Sequence, residues 1–344
     1  MACMMNWSKI TQRRLQVSSF LIAFSFLLCL FLQFKSLQRH WVHISPSAVH
    51  PNPGYTSLPR IPIEFTANTP RNVCAPVSDR KWTDDDQPTS FVIVVYTRPE
   101  NFEVRQIVRE TWGARDVLGP MDALVLFPIG RTLDANVEER IRKEEIIHGD
   151  LVQGDFIDDY RNLTYKGLLM LKWFVWFCPR ASFIVKVDAD VFVNVYHLDP
   201  LLRIEYARSK RFLACKVHWR SRVLRPNVWC GKWCVSVTDY YDTFYPPYCW
   251  GTFYIMSRDM AAEVLSTSDT VPIWWVDDVY LTGIIPRTFG WIQHVVFSEY
   301  LEENPARLQT VTDKHIVFAL IQSLNDSLNA WNSVKNSRWS TQDT

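Results

Sequence analysis

Phe183-Ile184-Val185-Lys186-Val187-Asp188-Ala189-Asp190-Val191-Phe192-Val193-Asn194 is the stretch on which the fold turns. Apolar residues lead into two aspartates and resume after them. That pattern predicts a buried strand that delivers Asp188 and Asp190 to its carboxyl end. Residues i and i+2 of a strand share a face, so the two carboxylates stand together and repel. A hard divalent cation with oxygen ligands, Mg²⁺ or Mn²⁺, relieves that repulsion, and such ions also hold phosphates. The plainer alternative is a pair of solvated aspartates at a strand-to-turn junction, because so short a pattern often arises by chance.

The flanking segments extend the strand into a domain. Phe91–Tyr96 is an apolar run ending at Thr97-Arg98-Pro99, a second buried strand with a turn after it. Residues 101–112 read as a helix that carries Arg105 and Arg109 on one face, four residues apart. Residues 123–127 read as a strand, and residues 134–148 as an amphipathic helix capped by Asp134. Residues 163–177 form a long apolar helix. Helices over 198–207, 260–266 and 278–285 and strands over 211–217, 245–256 and 291–297 complete the series. Strands apolar on both faces that alternate with helices predict an α/β domain with a mainly parallel sheet flanked by helices. Ligands of such sheets bind beyond the strands' carboxyl ends, where Asp188 and Asp190 would stand.

The chain has 344 residues, 48% of them hydrophobic and 21% charged, enough for a substantial core. A net charge of +1 gives no reason to expect a nucleic-acid partner. Residues 1–16 read as a short basic tail with Lys9, Arg13 and Arg14, and residues 17–34 as a continuous apolar run. As a helix the run would span about 27 Å, enough for a thin bilayer. The basic flank favours a cytosolic N-terminus. No small-residue cleavage site follows, so the run reads as an uncleaved transmembrane signal anchor rather than a signal peptide. Residues 35–88 are proline-rich, without apolar periodicity, and read as an extended stem. The catalytic domain is then expected over residues 89–344, in the lumen.

Cysteines agree with that location. Beyond Cys3 and Cys29 there are six: Cys74, Cys178, Cys215, Cys230, Cys234 and Cys249. Six cysteines in an oxidising compartment suggest disulfides, but fifteen pairings are open to them. Cys230-Gly-Lys-Trp-Cys234 resembles half of a zinc site, with no second half of suitable spacing. The sequons Asn162-Leu-Thr164 and Asn325-Asp-Ser327 mark Asn162 and Asn325 as candidate glycosylation sites.

Other residues could carry chemistry. Asp277 and Asp278 lie between large apolar groups in Trp274-Trp275-Val276-Asp277-Asp278-Val279-Tyr280, where burial would raise a carboxylate toward general-base work. The alternative is that one of them caps the following helix. In Tyr245-Pro-Pro-Tyr248-Cys249-Trp250-Gly251, Gly251 would let backbone approach a ligand, and the rings could stack on a sugar or simply fill the core. Six of the chain's 15 tryptophans lie between Trp219 and Trp275, so aromatic surface is concentrated here. Arg105, Arg109 and Lys186 are candidate diphosphate partners, or else members of structural ion pairs. His294 could complete a metal site or sit as a satisfied core residue.

Taken in order, these segments resemble the β-1,3-galactosyltransferase family, glycosyltransferase family 31, over residues 90–300. The resemblance rests on Arg105-Gln-Ile-Val-Arg109-Glu-Thr-Trp112-Gly113, Gly154-Asp-Phe-Ile-Asp158-Asp-Tyr160-Arg-Asn162-Leu-Thr164-Tyr-Lys166, Lys186 to Asn194, Tyr245 to Gly251, and Asp277-Asp278-Val279-Tyr280-Leu-Thr282-Gly283. It implies a GT-A-like fold preceded by a transmembrane helix and stem, in a single-pass type II Golgi membrane protein. It implies inverting transfer of galactose from UDP-galactose to a glycan hydroxyl of a glycoprotein or glycolipid, in β-1,3 linkage, with Mn²⁺ as cofactor. Asp190 and Asp188 would hold the metal, with His294 as a further ligand. Asp278, beside Asp277, would be the base, and Arg105, Arg109, Lys186, Asp188, Trp250 and Gly251 would line the donor site. Ala189 in the middle of the acidic triplet and Trp250 in place of a small residue depart from the family pattern. Alternatives are transfer from UDP-N-acetylglucosamine or UDP-N-acetylgalactosamine, or a catalytically silent chaperone or glycan-binding relative.

Overall fold

Strands that are apolar on both faces must be covered on both faces. The computed structural model, which describes residues 57–60, 62–66, 74, 90–226, 229–313 and 315–342, meets that requirement with one central sheet. Its elements in chain order are β1 (Ser90–Tyr96), α1 (Phe102–Glu110), α2 (Arg115–Leu118), β2 (Ala123–Arg131), α3 (Ala135–His148), β3 (Leu151–Ile157), α4 (Leu163–Phe177) and β4 (Ala181–Asp188). There follow β5 (Val191–Val193), α5 (Val195–Pro200), β6 (Phe212–His218), β7 (Tyr248–Ser257), α6 (Arg258–Thr267), α7 (Asp277–Val279), β8 (Gln293–Val296), β9 (Leu301–Glu302), β10 (Phe318–Leu320) and α8 (Leu324–Gln342).

The seven-stranded sheet runs β3-β2-β1-β4-β7-β6-β8, and β5-β10-β9 form a small second sheet. β1, β2, β3 and β4 are mutually parallel, and only β7 is reversed between β4 and β6. The expected mainly parallel sheet flanked by helices is what forms. One core packs Ile93, Val95, Phe127, Val185, Val187 and Ile255 on one face, with Trp331 and Val334 of α8. The other packs Val92, Val94, Ile184 and Met256 against Leu168, Leu169 and Trp173 of α4. Period-2 alternation along β4 therefore sends Val185 and Val187 into the first core and Ile184, Lys186 and Asp188 toward the second face.

Several expectations shift in detail. Asp134 does cap α3, accepting from the Asn136 and Val137 amides. Strand β3, with Gly154 and Asp155 interrupting its apolar run, has no signal strong enough to be read from sequence, and neither do β9, β10 and α8. The described residues of the segment read as an extended stem contact the domain. Phe65 bridges Gly154 at the sheet edge, the Leu58 amide donates to Ile273 O at 2.6 Å, and Tyr165 Oη donates to Pro59 O at 2.6 Å. An exposed strand edge such as β3 invites cover of this kind. The tail and the expected membrane segment, residues 1–34, lie outside the described residues. Among the described residues no helix is long and apolar enough to cross a membrane. The six cysteines pair as Cys74–Cys178, Cys215–Cys249 and Cys230–Cys234.

Candidate functional site

The carboxyl ends of β1 and β4 and the start of α7 converge on one lysine. Lys186 is buried, and its Nζ lies 2.5 Å from Asp188 Oδ1 while also donating to the Gly251 carbonyl on β7. Its ammonium stands 4.5 Å from the Tyr96 ring centroid and 5.9 Å from that of Tyr254. Burial works against the Lys186 charge, but Asp188 and then Asp277 outweigh it and hold its pKa above the ordinary lysine value. The Asp188 side chain is 41% exposed, so it opens on solvent from a desolvating wall. Burial pushes its pKa up, Lys186 pulls it back in part, and the Asp190 and Asp277 charges push it up further.

Asp190 sits exposed in the turn between β4 and β5. The turn is held by the Ile321 amide, which donates to Asp190 O at 2.9 Å. Among the described residues the Asp190 carboxylate has no hydrogen-bond or ion-pair partner. The two aspartates thus offer hard oxygen donors with one carboxylate uncommitted, the donor set that suits Mg²⁺ or Mn²⁺. Asp188, Asp190, Asp277 and Asp278 interact electrostatically about Lys186, an excess of negative charge that a divalent cation would neutralise. The residues present therefore fit such an ion.

Asp277 and Asp278 occupy the first turn of α7, where negative charge suits the helix dipole. Neither is the cap residue: that position is Val276. The two differ in what engages them. Burial raises Asp277, opposed by Lys186 and by backbone N–H groups of Asp277 and Asp278. Asp278 accepts from the Val279 amide through Oδ1 at 2.7 Å. Its other oxygen, Oδ2, faces Gly251, where an added Cβ would stand 3.1 Å away. A side chain larger than glycine at 251 would crowd that carboxylate. Burial, followed by the Asp277 charge, raises Asp278 to about 7. The Thr282 hydroxyl donates to Asp278 O and accepts from the Cys249 amide at 2.9 Å, tying α7 to β7.

The remaining candidates are placed elsewhere. Arg105 is fully buried and spends its donors on Glu144, Thr97 Oγ1 and the carbonyls of Arg98 and Pro99. Arg109 pairs with Glu144 and Asp150, each at 2.7 Å. Both side chains thus take part in structural ion pairs, and Arg105 shapes the loop that leaves β1. His294 is buried on β8, three strands from β4, or roughly 14 Å across the sheet at the usual strand spacing. Its Nε2 lies 3.6 Å from Cys215 Sγ and 3.9 Å from Cys249 Sγ, against a disulfide rather than beside Asp190. Burial lowers its pKa to about 4. Those two sulfurs and His294 are mutually close, but the sulfurs are bonded to each other. Trp250 packs on the opposite core, with Lys216 Nζ 4.5 Å from its ring centroid. Asn162 precedes α4 and its side-chain amide donates to Ile157 O, while Asn325 is exposed at the start of α8.

One contributor was missed in the sequence. Lys166, in the apolar run of α4, reaches Asp158 at 2.8 Å and donates to Thr97 O at 2.8 Å, bracing the same rim as Arg105. A lone lysine inside an apolar helix was the available signal, since buried lysines are rare without a partner.

The galactosyltransferase family model matches residues 103–295. Human β-1,3-galactosyltransferase 5 is 30% identical over 73% of this chain and 80% of its own length. The bonobo (Pan paniscus) protein of the same name is 34% identical over 58% of this chain, and the match spans 65% of that relative. Mouse β-1,3-galactosyltransferase 1 is 33% identical over 58% of this chain and 60% of its own length. A solved glycosyltransferase involved in glycosylation of the major capsid of PBCV-1 overlaps 70% of this chain and 98% of its own, at 11% identity and a TM-score of 0.37, too loose to add weight. The matched span runs from α1 to β8 and contains Asp188, Asp190, Asp277 and Asp278, and on that ground the chain belongs to the galactosyltransferase family.

Proposed function

We propose that this protein is an inverting hexosyltransferase of GT-A type, moving galactose from UDP-galactose to a glycan hydroxyl in β-1,3 linkage. Family membership supports glycosyl transfer, and the names of the relatives support the sugar and the linkage. The observation that carries the mechanism is the setting of Asp278 on α7. Its Oδ1 accepts from the Val279 amide, its Oδ2 faces Gly251 with no hydrogen-bond partner among the described residues, and burial with the Asp277 charge raises its pKa to about 7.

A general base works best with a pKa near the operating pH. Asp278 Oδ2 takes the proton of the acceptor hydroxyl as that oxygen attacks the sugar's anomeric carbon. The bond from that carbon to the diphosphate oxygen breaks on the opposite face, so a single displacement inverts the centre. Lys186 fixes Asp188 and the Gly251 carbonyl, holding the rims of β4 and β7 in one arrangement. Asp190 and Asp188 would hold Mn²⁺, which supplies charge neutralisation for the departing diphosphate. The apolar run at residues 17–34 supports a Golgi membrane anchor with the domain in the lumen.

The purified protein, assayed with Mn²⁺ against UDP-galactose, UDP-N-acetylglucosamine and UDP-N-acetylgalactosamine and an acceptor array, tests the reading. Transfer from UDP-galactose to a 3-hydroxyl is expected. Preference for an N-acetylhexosamine donor would change the sugar and keep the chemistry. No metal-dependent turnover with any donor would leave the silent relative as the better account.

A further inference from the structure

The excursion between β6 and β7, residues 219–247, has no role in the reaction as described above. Its inner side is built as core. Val223, Val235 and Tyr240 are buried, and Tyr240 packs 4.9 Å from the Trp274 ring. Arg225 donates to the carbonyls of Ser236, Tyr240 and Asp242 at 2.8, 2.7 and 2.7 Å. The Val223 amide bonds Thr243 O and the Val235 amide bonds Leu224 O, both at 2.9 Å. A disulfide joins Cys230 to Cys234 at the tip. The described residues of the excursion therefore form an organised loop, part of it closed covalently.

Its outer side breaks the usual rule. Trp229 is 99% exposed and Trp233 is 56% exposed. Two exposed indoles on a well-anchored loop offer apolar ring faces, with polar N–H edges, to a ligand. Trp233 is also positioned. Its side chain lies beside that of Tyr160, and Lys232 Nζ lies 4.6 Å from the Tyr160 ring centroid and 5.2 Å from that of Trp233. The Tyr160 ring in turn lies 6.4 Å from Trp275, two residues before Asp277. Tyr160 thus links the loop to the acidic residues Asp277 and Asp278, whose charges act on it.

We propose that Trp233, with Lys232 and Tyr160, forms a platform that binds a pyranose ring of the acceptor glycan. This inference rests on the glycosyl-transfer reading. An occupant of this rim must be apolar on one face to cover the indole, and hydroxylated at its edge to reach Lys232 and Tyr160. It must also be joined to the hydroxyl that Asp278 deprotonates. A glycan pyranose has an apolar C–H face and an edge of hydroxyls, and it meets all three conditions. The Cys230–Cys234 bridge keeps the platform ordered before the acceptor arrives, which lowers the cost of binding.

The test compares the full chain with Trp233→Ala and Trp233→Phe, using p-nitrophenyl β-glycosides of galactose, N-acetylglucosamine and N-acetylgalactosamine as acceptors and the three UDP-sugars as donors. Loss of one stacking partner is expected to raise the acceptor KM about five- to tenfold in Trp233→Ala while the donor KM moves less than about twofold. Phe at 233 is expected to recover most of the affinity. An acceptor KM equal to wild type in Trp233→Ala, or donor and acceptor KM rising together, overturns the platform. Saturation-transfer NMR on the same glycosides gives a readout independent of turnover. If no donor is turned over but glycoside saturation still depends on Trp233, the transfer reading fails and the platform stands. If wild type and Trp233→Ala saturate the glycosides equally, the platform fails whatever the turnover.

Discussion

Lys186 Nζ contacts Asp188 Oδ1 at 2.5 Å from a position two residues earlier on the same strand, and the same ammonium serves the Gly251 carbonyl on the neighbouring strand. One cation thus joins a metal-binding candidate to the backbone that faces Asp278. Lys186→Met should orphan the Gly251 carbonyl at a cost of about 1–3 kcal/mol. Asp188 adds less because it opens on solvent. Chemical denaturation should register that loss, and transfer should fall with it; an unchanged midpoint and rate would mean that Lys186 is not the tie.

Asp190→Ala removes the uncommitted carboxylate of the acidic pair. Metal-dependent charge stabilisation is worth several kcal/mol, so turnover should drop by about a thousandfold or more. UDP binding in Mn²⁺, followed by calorimetry, should weaken as well. Wild-type turnover in this variant would remove Asp190 from the metal site.

Asp278 gives a pH signature. A base must be deprotonated to act, so kcat/KM should rise with pH through about 7, the value to which burial and Asp277 raise this carboxyl. Asp278→Asn should lose about 10²- to 10⁴-fold in kcat while keeping donor affinity. An active Asp278→Asn together with an inactive Asp277→Asn would move the base to the neighbouring residue.

The same group makes a stability prediction. A carboxyl whose folded pKa lies above its unfolded value leaves the folded state binding more protons between the two. Its contribution is present in full below the unfolded value, near 4. It is lost as pH rises through about 7. Asp278→Asn should therefore raise the melting temperature relative to wild type at pH 8, and by less at pH 5. An equal shift at both pH values would contradict the raised pKa.

Arg105 separates two roles. Its guanidinium and Glu144 are 0% and 7% exposed, so Arg105→Ala leaves a buried carboxylate without its closest partner. Breaking a buried pair from one side costs about 3–5 kcal/mol, and the Arg98 and Pro99 carbonyls lose donors as well. The expected result is a large drop in unfolding free energy, with donor KM in the surviving folded fraction near wild type. A stable variant with a raised donor KM would instead return Arg105 to the donor site.

Much of the sheet was legible because its signals are local. Val92 to Tyr96 and Ile184 to Val187 are too apolar for solvent, and the carboxylates that end β4 mark its functional rim. The helix over Leu163–Phe177 appears within the same bounds. Strand β3 was hidden because an edge strand with a glycine and exposed alternate residues carries little apolar pattern, and β10 because three residues have no period. At the site, Asp188, Asp190, Asp277 and Asp278 could be named from sequence. The fates of Arg105, Arg109 and His294 could not, since a charged or ligating side chain reads the same whether its partner is a substrate or a residue far along the chain.

Sequence alone determined that a mainly parallel α/β sheet would form and that Asp188 and Asp190 would lie at its carboxyl edge, because strand alternation and burial act between near neighbours. Tertiary structure alone decided which acid faces Gly251, which cysteines pair, and that Arg105 closes on Glu144 in the protein interior. Those outcomes depend on groups such as Gly251 and Asp278 meeting at atomic distance across 27 residues of chain, and no local period records such a meeting.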